Sequence, residues 1–231
     1  MVPAMSVRSA VSHLILACFI LGGAQADFAA DMIVLHYLDQ DQGAPAYTSR
    51  ILITPQFLRL DDGRDEADFV LLKRKTGELT NVLHSTKTNM RIRNKPLPAS
   101  ARPAWQVEER VEEIRPGTNR VTVLVKGQVC SQTVAAERLL PEAAKALAEY
   151  KAALAWTQYQ TYQNTESEMR QDCDLVHHVW DTGLSLSHGL PMEERDYAGR
   201  SRQLEKQGRE KLRPGLFKLP ARYAIVYATQ N

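Results

Sequence analysis

Cys130 and Cys173 are the residues of this sequence whose type most directly permits a reaction. In an oxidising compartment two such thiols close one disulfide, the alternative being two unconnected buried thiols. Their spacing excludes a Cys-x-x-Cys redox centre, and pairing would leave no free thiolate for nucleophilic work. His177 and His178, with Asp174 and Asp181 nearby, invite a metal site. Adjacent side chains point in different directions on a helix or a strand, however, and no second ligand pair stands close. His188 reads as a turn residue. The acidic run 61–68 (DDGRDEAD) does not place its carboxylates as an EF-hand loop does and lacks the bidentate Glu at the twelfth position, so a solvated turn is expected rather than a calcium site.

Motifs that carry a mechanism are missing from the sequence: there is no Gly-x-Ser-x-Gly elbow, no phosphate-cradling glycine loop and no His-Glu-x-x-His. The expectation is a protein that is not an enzyme and uses no cofactor or metal. Dispersed Ser, His and Asp can still converge in space, as triads do in any chain order, and an unrecognised hydrolase is kept as the last alternative. A different kind of candidate is the stripe Leu147, Tyr150, Leu154, Trp156 and Tyr159. Leu147, Tyr150 and Leu154, spaced at three and four, lie on one face of a helix and Trp156 and Tyr159 continue the stripe at three; it either belongs to the core or lines a ligand cavity between helix and sheet.

These residues need elements to hold them. Residues 47–92 read as consecutive strands joined by tight turns, the meander of an antiparallel sheet. Ahead of it, Ile33, Leu35 and Tyr37 alternate with Val34, His36 and Leu38, so both faces of that strand are substantially apolar and both should be covered. Residues 94–103, with three prolines, form an irregular crossing. Residues 105–114 should be a strand with Trp105, Val107 and Val111 inward. Residues 120–126 alternate clearly, and Gly127-Gln128 turns into the strand bearing Cys130. Pro141 suits a first helical position and Glu142 the positive end of the helix dipole; strong helix formers follow to about Tyr162. Two short strands are expected over 192–196 and 199–204, a solvated hairpin or turn over 205–213 (EKQGREKLR), and a hydrophobic closing segment around Pro220.

The chain has 231 residues, with 29 Lys and Arg against 27 Asp and Glu. Arg8, the short apolar run 14–21 and the small-x-small site Ala24-Gln25-Ala26 make residues 1–26 a cleaved secretory signal peptide, too short to span a bilayer. A retained anchor helix and acylation of Cys18 are the competing readings. Its removal leaves residues 27–231 as a single domain with two cysteines and no transmembrane segment. Nearly balanced, finely mixed charge excludes a general nucleic-acid binder.

The strings Tyr47-Thr-Ser-Arg-Ile-Leu-Ile-Thr-Pro55, Phe57-Leu-Arg-Leu-Asp61 and Asp68-Phe-Val-Leu-Leu-Lys-Arg-Lys-Thr76 resemble a family of uncharacterised exported proteins of Gram-negative bacteria. Cys130, Leu139-Leu-Pro141-Glu, Cys173-Asp-Leu and Gly199-Arg-Ser-Arg-Gln-Leu204 are similar to the same pattern, although Lys73 stands where that pattern has Asp. More distantly, Phe217-Lys-Leu-Pro-Ala-Arg-Tyr223 resembles the close of LolA-like periplasmic proteins, which carry or sense lipid and lipoprotein chains. That second resemblance implies a half-barrel with an apolar interior.

The combined expectation is an α+β domain, a curved antiparallel sheet (half-barrel) packed around one long helix and short helices. Its location would be the periplasm. Three functions follow in order: a non-enzymatic protein binding a lipid or other apolar ligand in the concavity, lined by Leu147, Tyr150, Leu154, Trp156 and Tyr159; an envelope sensor with a fully packed interior and an envelope protein as partner; and a hydrolase.

Overall fold

The computed structural model describes residues 31–92 and 94–228, so the leader expected over residues 1–26 lies outside the described residues. Alternation of apolar and polar residues produces six consecutive antiparallel strands, β1 (Asp31–Gln40), β2 (Tyr47–Ile53), β3 (Phe57–Asp61), β4 (Phe69–Lys73), β5 (Glu78–Leu83) and β6 (Thr88–Ile92). A crossing with one 3-10 turn leads to a second meander, β7 (Val107–Arg115), β8 (Thr118–Val125) and β9 (Gln128–Ala136). The long helix α1 (Pro141–Asn164) follows, then α2 (Asp172–Leu175), which runs into a π-turn over Val176–Trp180. Strands β10 (Leu190–Asp196), β11 (Ser201–Lys211) and β12 (Ala224–Tyr227) complete one open twelve-stranded sheet, in the order β12-β6-β5-β4-β3-β2-β1-β11-β10-β9-β8-β7. All neighbours are antiparallel except β12 and β6. The structure is therefore mixed α+β, with one long helix and several short ones.

Strand β1 joins the two meanders, pairing β2 along one side and β11 along the other. Both of its faces are covered. Ile33, Leu35 and Tyr37 join Ile51, Ile53, Leu58 and Leu72 beneath α1, where Ala143, Ala146 and Leu147 close the layer. Small alanines on that helix face let its backbone come close to the sheet. Met32 and Val34 point the other way and join Leu52, Phe69, Leu71 and Val82, which the C-terminal segment covers with Phe217. That segment is seated by specific bonds: Phe217 stacks on Phe57 with centroids 6.0 Å apart, Asn89 donates to the Pro220 carbonyl at 3.1 Å, and the Tyr223 hydroxyl meets His84 Nδ1 at 2.7 Å. The Phe-x-x-Pro-x-x-Tyr string is thus a strap across the face opposite the helix.

Two expectations fail. Residues 205–213 were expected to turn, yet β11 continues to Lys211 and pairs with β1 from Asp31 to His36. Strand β10 pairs β11 only at Ser201–Gln203, so the rest of β11 has a partner on one side alone, where charged residues are tolerated and discourage further pairing. Val111 was expected inward, but β7 is the last strand of the sheet and Val111 is 48% exposed. Cover on that strand reaches only the Trp105 and Val107 end.

The disulfide Cys130–Cys173 is formed, at a sequence separation of 43. A register shift between Val123/Leu124 of β8 and Ser131/Val129 of β9 leaves Cys130 as a bulged residue, which re-aims its side chain. The bond ties α2 and the π-turn to β9. A glycine is required at 189: with φ at +122°, a Cβ there would meet the Ala136 carbonyl oxygen at 2.2 Å.

Candidate functional site

On the helix side of the sheet, the apolar layer gives way to charge at Lys151. This lysine lies four residues after Leu147 and three before Leu154, on the stripe itself, and Lys151 Nζ donates to Glu194 Oε1 of β10 at 3.4 Å. Strand alternation places Asp39 on the same face as Leu35 and Tyr37, and β11 brings Arg202 beside it. Arg202 donates to Asp39 through Nε at 2.6 Å and Nη2 at 3.3 Å, while its guanidinium lies 5.0 Å from the Tyr37 ring centre. Ser49 donates a third, short bond to Asp39, and the Tyr37 hydroxyl donates to the Pro191 carbonyl at 3.0 Å. Bulges set this parity. Glu205 is skipped in the β1–β11 register and Met192 in the β9–β10 register, so Arg202 and Glu194 face α1.

The π-turn supplies the rest. Asp181 N–H donates to the Val176 carbonyl at 3.1 Å, closing a five-residue turn that carries His177 and His178, rings edge to face with centroids 4.8 Å apart. The two rings stay edge to face and join no set that could hold a metal ion among the described residues, although both border the cleft. His178 Nε2 lies 3.0 Å from Arg200 Nη2 and must accept from it, so the proton of this neutral ring sits on Nδ1. Arg200 also donates to Asp196 at 2.6 Å. Tyr197 donates a short bond to Asp174. Together Asp39, Lys151, His177, His178, Glu194, Arg200 and Arg202 line a cleft of about 250 Å³.

Burial first, and then the positive charge of Lys151, pushes the His177 imidazole down to about 3. His178 is lowered by burial and by Arg200. Burial pushes the Glu194 carboxyl up, but Lys151 and Arg202 outweigh it and hold the group below its ordinary range. Tyr37 is raised by burial and by the Glu194 charge. Each shift deepens the state the group already prefers at neutral pH: carboxylates ionised, imidazoles neutral, phenols protonated. A general acid or base needs the reverse, a pKa drawn toward the working pH. Among the described residues no serine hydroxyl bonds either histidine, and no group of three or more His, Cys, Asp or Glu could hold a metal ion. What the cleft offers is a set of fixed donors and acceptors in paired charges.

The aspartates of the run 61–68 have partners. Asp61 is fully buried and takes Arg50 Nε at 2.8 Å, Arg50 Nη2 at 2.9 Å and Arg59 Nε at 2.6 Å. Arg59 is anchored further by the carbonyls of Leu216 and Asp65, at 2.8 and 2.9 Å. Asp65 pairs with Arg50 and Arg213, and Asp62 with Arg64. Of the stripe, Leu147 is buried in the layer under α1, with Tyr150 and Leu154 partly buried against it. Trp156 and Tyr159 sit further along the helix with ring centroids 6.1 Å apart, and the Trp156 indole N–H is buried with no partner. Lys151, Glu194 and Arg202 were not anticipated. A lysine on an apolar stripe and an arginine sharing strand parity with Leu204 were the available signals.

No protein-family model matches the chain, and no curated protein matches it. Thirteen chains of solved structures match. One is a structure of PNGF-II, with a TM-score of 0.43 and 10% sequence identity; the match covers 86% of this chain and 31% of that one. This chain therefore spans less than a third of that neighbour's length.

Proposed function

We propose that this chain is an exported, non-enzymatic interaction protein of the cell envelope, with a packed layer between helix and sheet and a recognition surface in the mixed-charge cleft around Lys151, Glu194 and Arg202. The observation that carries this reading is electrostatic. The cleft groups with shifted pKa values move away from neutrality, and the charges are satisfied pairwise, which suits recognition of a polar partner and not proton transfer. The disulfide supports export. No helix among the described residues is long and apolar enough to cross a membrane.

A lipid or other apolar ligand held in a half-barrel concavity is the second reading. One observation favours it: Trp156 and Tyr159, half-buried on α1 with ring centroids 6.1 Å apart, offer apolar surface beyond the packed layer.

Histidine titration by NMR on the intact protein separates recognition from catalysis. His177 is expected to stay neutral from about pH 8 down to about pH 5, and His178 to titrate below the ordinary histidine value. A histidine of this pair titrating near 7 would overturn the reading and return the hydrolase to first place.

A further inference from the structure

The floor of the mixed-charge cleft is one row across the sheet. Asp39 of β1 stands opposite Arg202 of β11, and Arg202 stands opposite Glu194 of β10. An acid, a base and an acid thus follow one another at the strand spacing of about 4.8 Å. The helix brings Lys151 to Glu194, and His177 on the π-turn lies close enough to feel the charge of both.

These groups differ in how far their bonding is complete. Asp39 takes two bonds from Arg202 and one from Ser49. Lys151 and Glu194 share one contact of 3.4 Å, longer than the 2.6 Å of Arg202–Asp39 and Arg200–Asp196. An ammonium has three donors and a carboxylate two acceptor oxygens, so this contact leaves two N–H groups and the second Glu194 oxygen over. Both side chains line the cleft and are 22% and 15% exposed, so an incoming molecule can reach them. His177 also lines the cleft, and its ring nitrogens have no hydrogen-bond partner among the described residues.

The open valences are therefore cationic donors next to an anionic acceptor. The cleft lining carries four basic and four acidic side chains, so a ligand with a net charge would bring an unbalanced charge into a half-buried site. A ligand holding one ammonium and one carboxylate keeps the balance. In an α-amino acid the two groups share a carbon, and the nitrogen lies about 3 Å from the nearer carboxylate oxygen. That separation matches the Lys151–Glu194 contact. The ammonium can donate to the second Glu194 oxygen while the carboxylate accepts from Lys151 and His177, and the original contact stays made. Charge-assisted bonds of this kind are roughly twice as strong as neutral ones. A cleft of about 250 Å³ lies just under the range of about 300–1,000 Å³ that drug-sized ligands occupy, as a smaller molecule requires. We infer that the Lys151–Glu194 end of the cleft binds a free α-amino acid with an uncharged side chain, an inference that rests on the recognition reading of the same cleft.

The test is calorimetric titration of the intact, disulfide-bonded protein with glycine, L-serine, L-leucine and L-phenylalanine, alongside the His177 ring signals in NMR. Saturable binding of at least one is expected, with a shift of those signals. Its N-acetyl derivative, which lacks the ammonium, and its carboxamide, which lacks the carboxylate, should each bind about tenfold more weakly. Glu194→Gln keeps the shape and an acceptor, and should also cost about tenfold. Lys151→Met keeps a long helix-forming side chain on the apolar stripe, and a similar loss is expected there even if Glu194→Gln fails to fold. No binding of any of the four at millimolar concentration overturns the inference. So does equal binding of either derivative, an affinity unchanged in Lys151→Met, or binding that leaves the His177 signals in place. In each of those cases a His177 still neutral at about pH 5 keeps the cleft as a recognition surface for another polar partner, whereas titration near 7 removes that reading as well.

Discussion

At the scale of single residues, the molecule spends its charge inside the sheet as well as on its surface. Asp61 holds two guanidiniums, Arg50 and Arg59, on the face opposite α1, and the side chain of Arg59 is only 2% exposed. Removing the carboxylate leaves Arg59 buried without a counter-ion and Arg50 with Asp65 alone, so Asp61→Asn should destabilise the fold by about 3–5 kcal/mol, read from a denaturant midpoint. A loss below about 1 kcal/mol would mean that the arginines reach water. His177 makes a second prediction. Its imidazole is held at about 3 in the fold, against 6.5 for the ordinary group. Below about pH 6.5 the unfolded chain takes a proton that the folded chain refuses, so stability falls with pH down to about 3, by at most about 1.4 kcal/mol per unit from this residue. His177→Gln should show a shallower acid slope than the parent over that window. Equal slopes would place His177 in water.

At the scale of elements, the disulfide and the bulges set the geometry of the cleft. The Cys130–Cys173 bond holds α2 and the π-turn on β9, and with it the two histidines. Replacing both cysteines by serine should lower stability by roughly 3–4 kcal/mol for a loop of this length, and should shift the NMR signals of His177 and His178 more than those of β1. A cleft unchanged by the double substitution would show that packing alone positions the turn. The sequence made most elements legible: the meander of β1 to β6, the helix starting at Pro141 and the strand carrying Cys130 all follow from period and capping. The single-residue bulges at Cys130, Met192 and Glu205 were not legible, since a bulge leaves no composition signal and reverses side-chain parity. The extent of β11 was hidden for a related reason, as EKQGREKLR has no apolar alternation to show when a strand keeps one partner. The two histidines are visible in the sequence, but the π-turn that carries them is not encoded by propensities.

At the scale of the whole molecule, twelve strands form an open sheet with β12 at one end and β7 at the other, while β1 lies near the middle with both ladder edges paired and both faces covered. Local opening should follow that order. In hydrogen exchange on the intact protein, β1 and β2 amides are expected to be slowest and those of β12 and the outer half of β7 fastest. Slow exchange at β12 would indicate that a partner protects that edge. The layer between α1 and the sheet is filled by side chains from both, with Leu147 among them, and this packing is what separates the interaction reading from the carrier reading.

That difference is settled most directly by native mass spectrometry of the mature protein, isolated from its own compartment without detergent. A packed interior predicts the mass of the oxidised chain with no apolar adduct. An acyl-bearing adduct of several hundred daltons, released on unfolding, would contradict the account and make the stripe from Leu147 to Tyr159 the lining of a carrier.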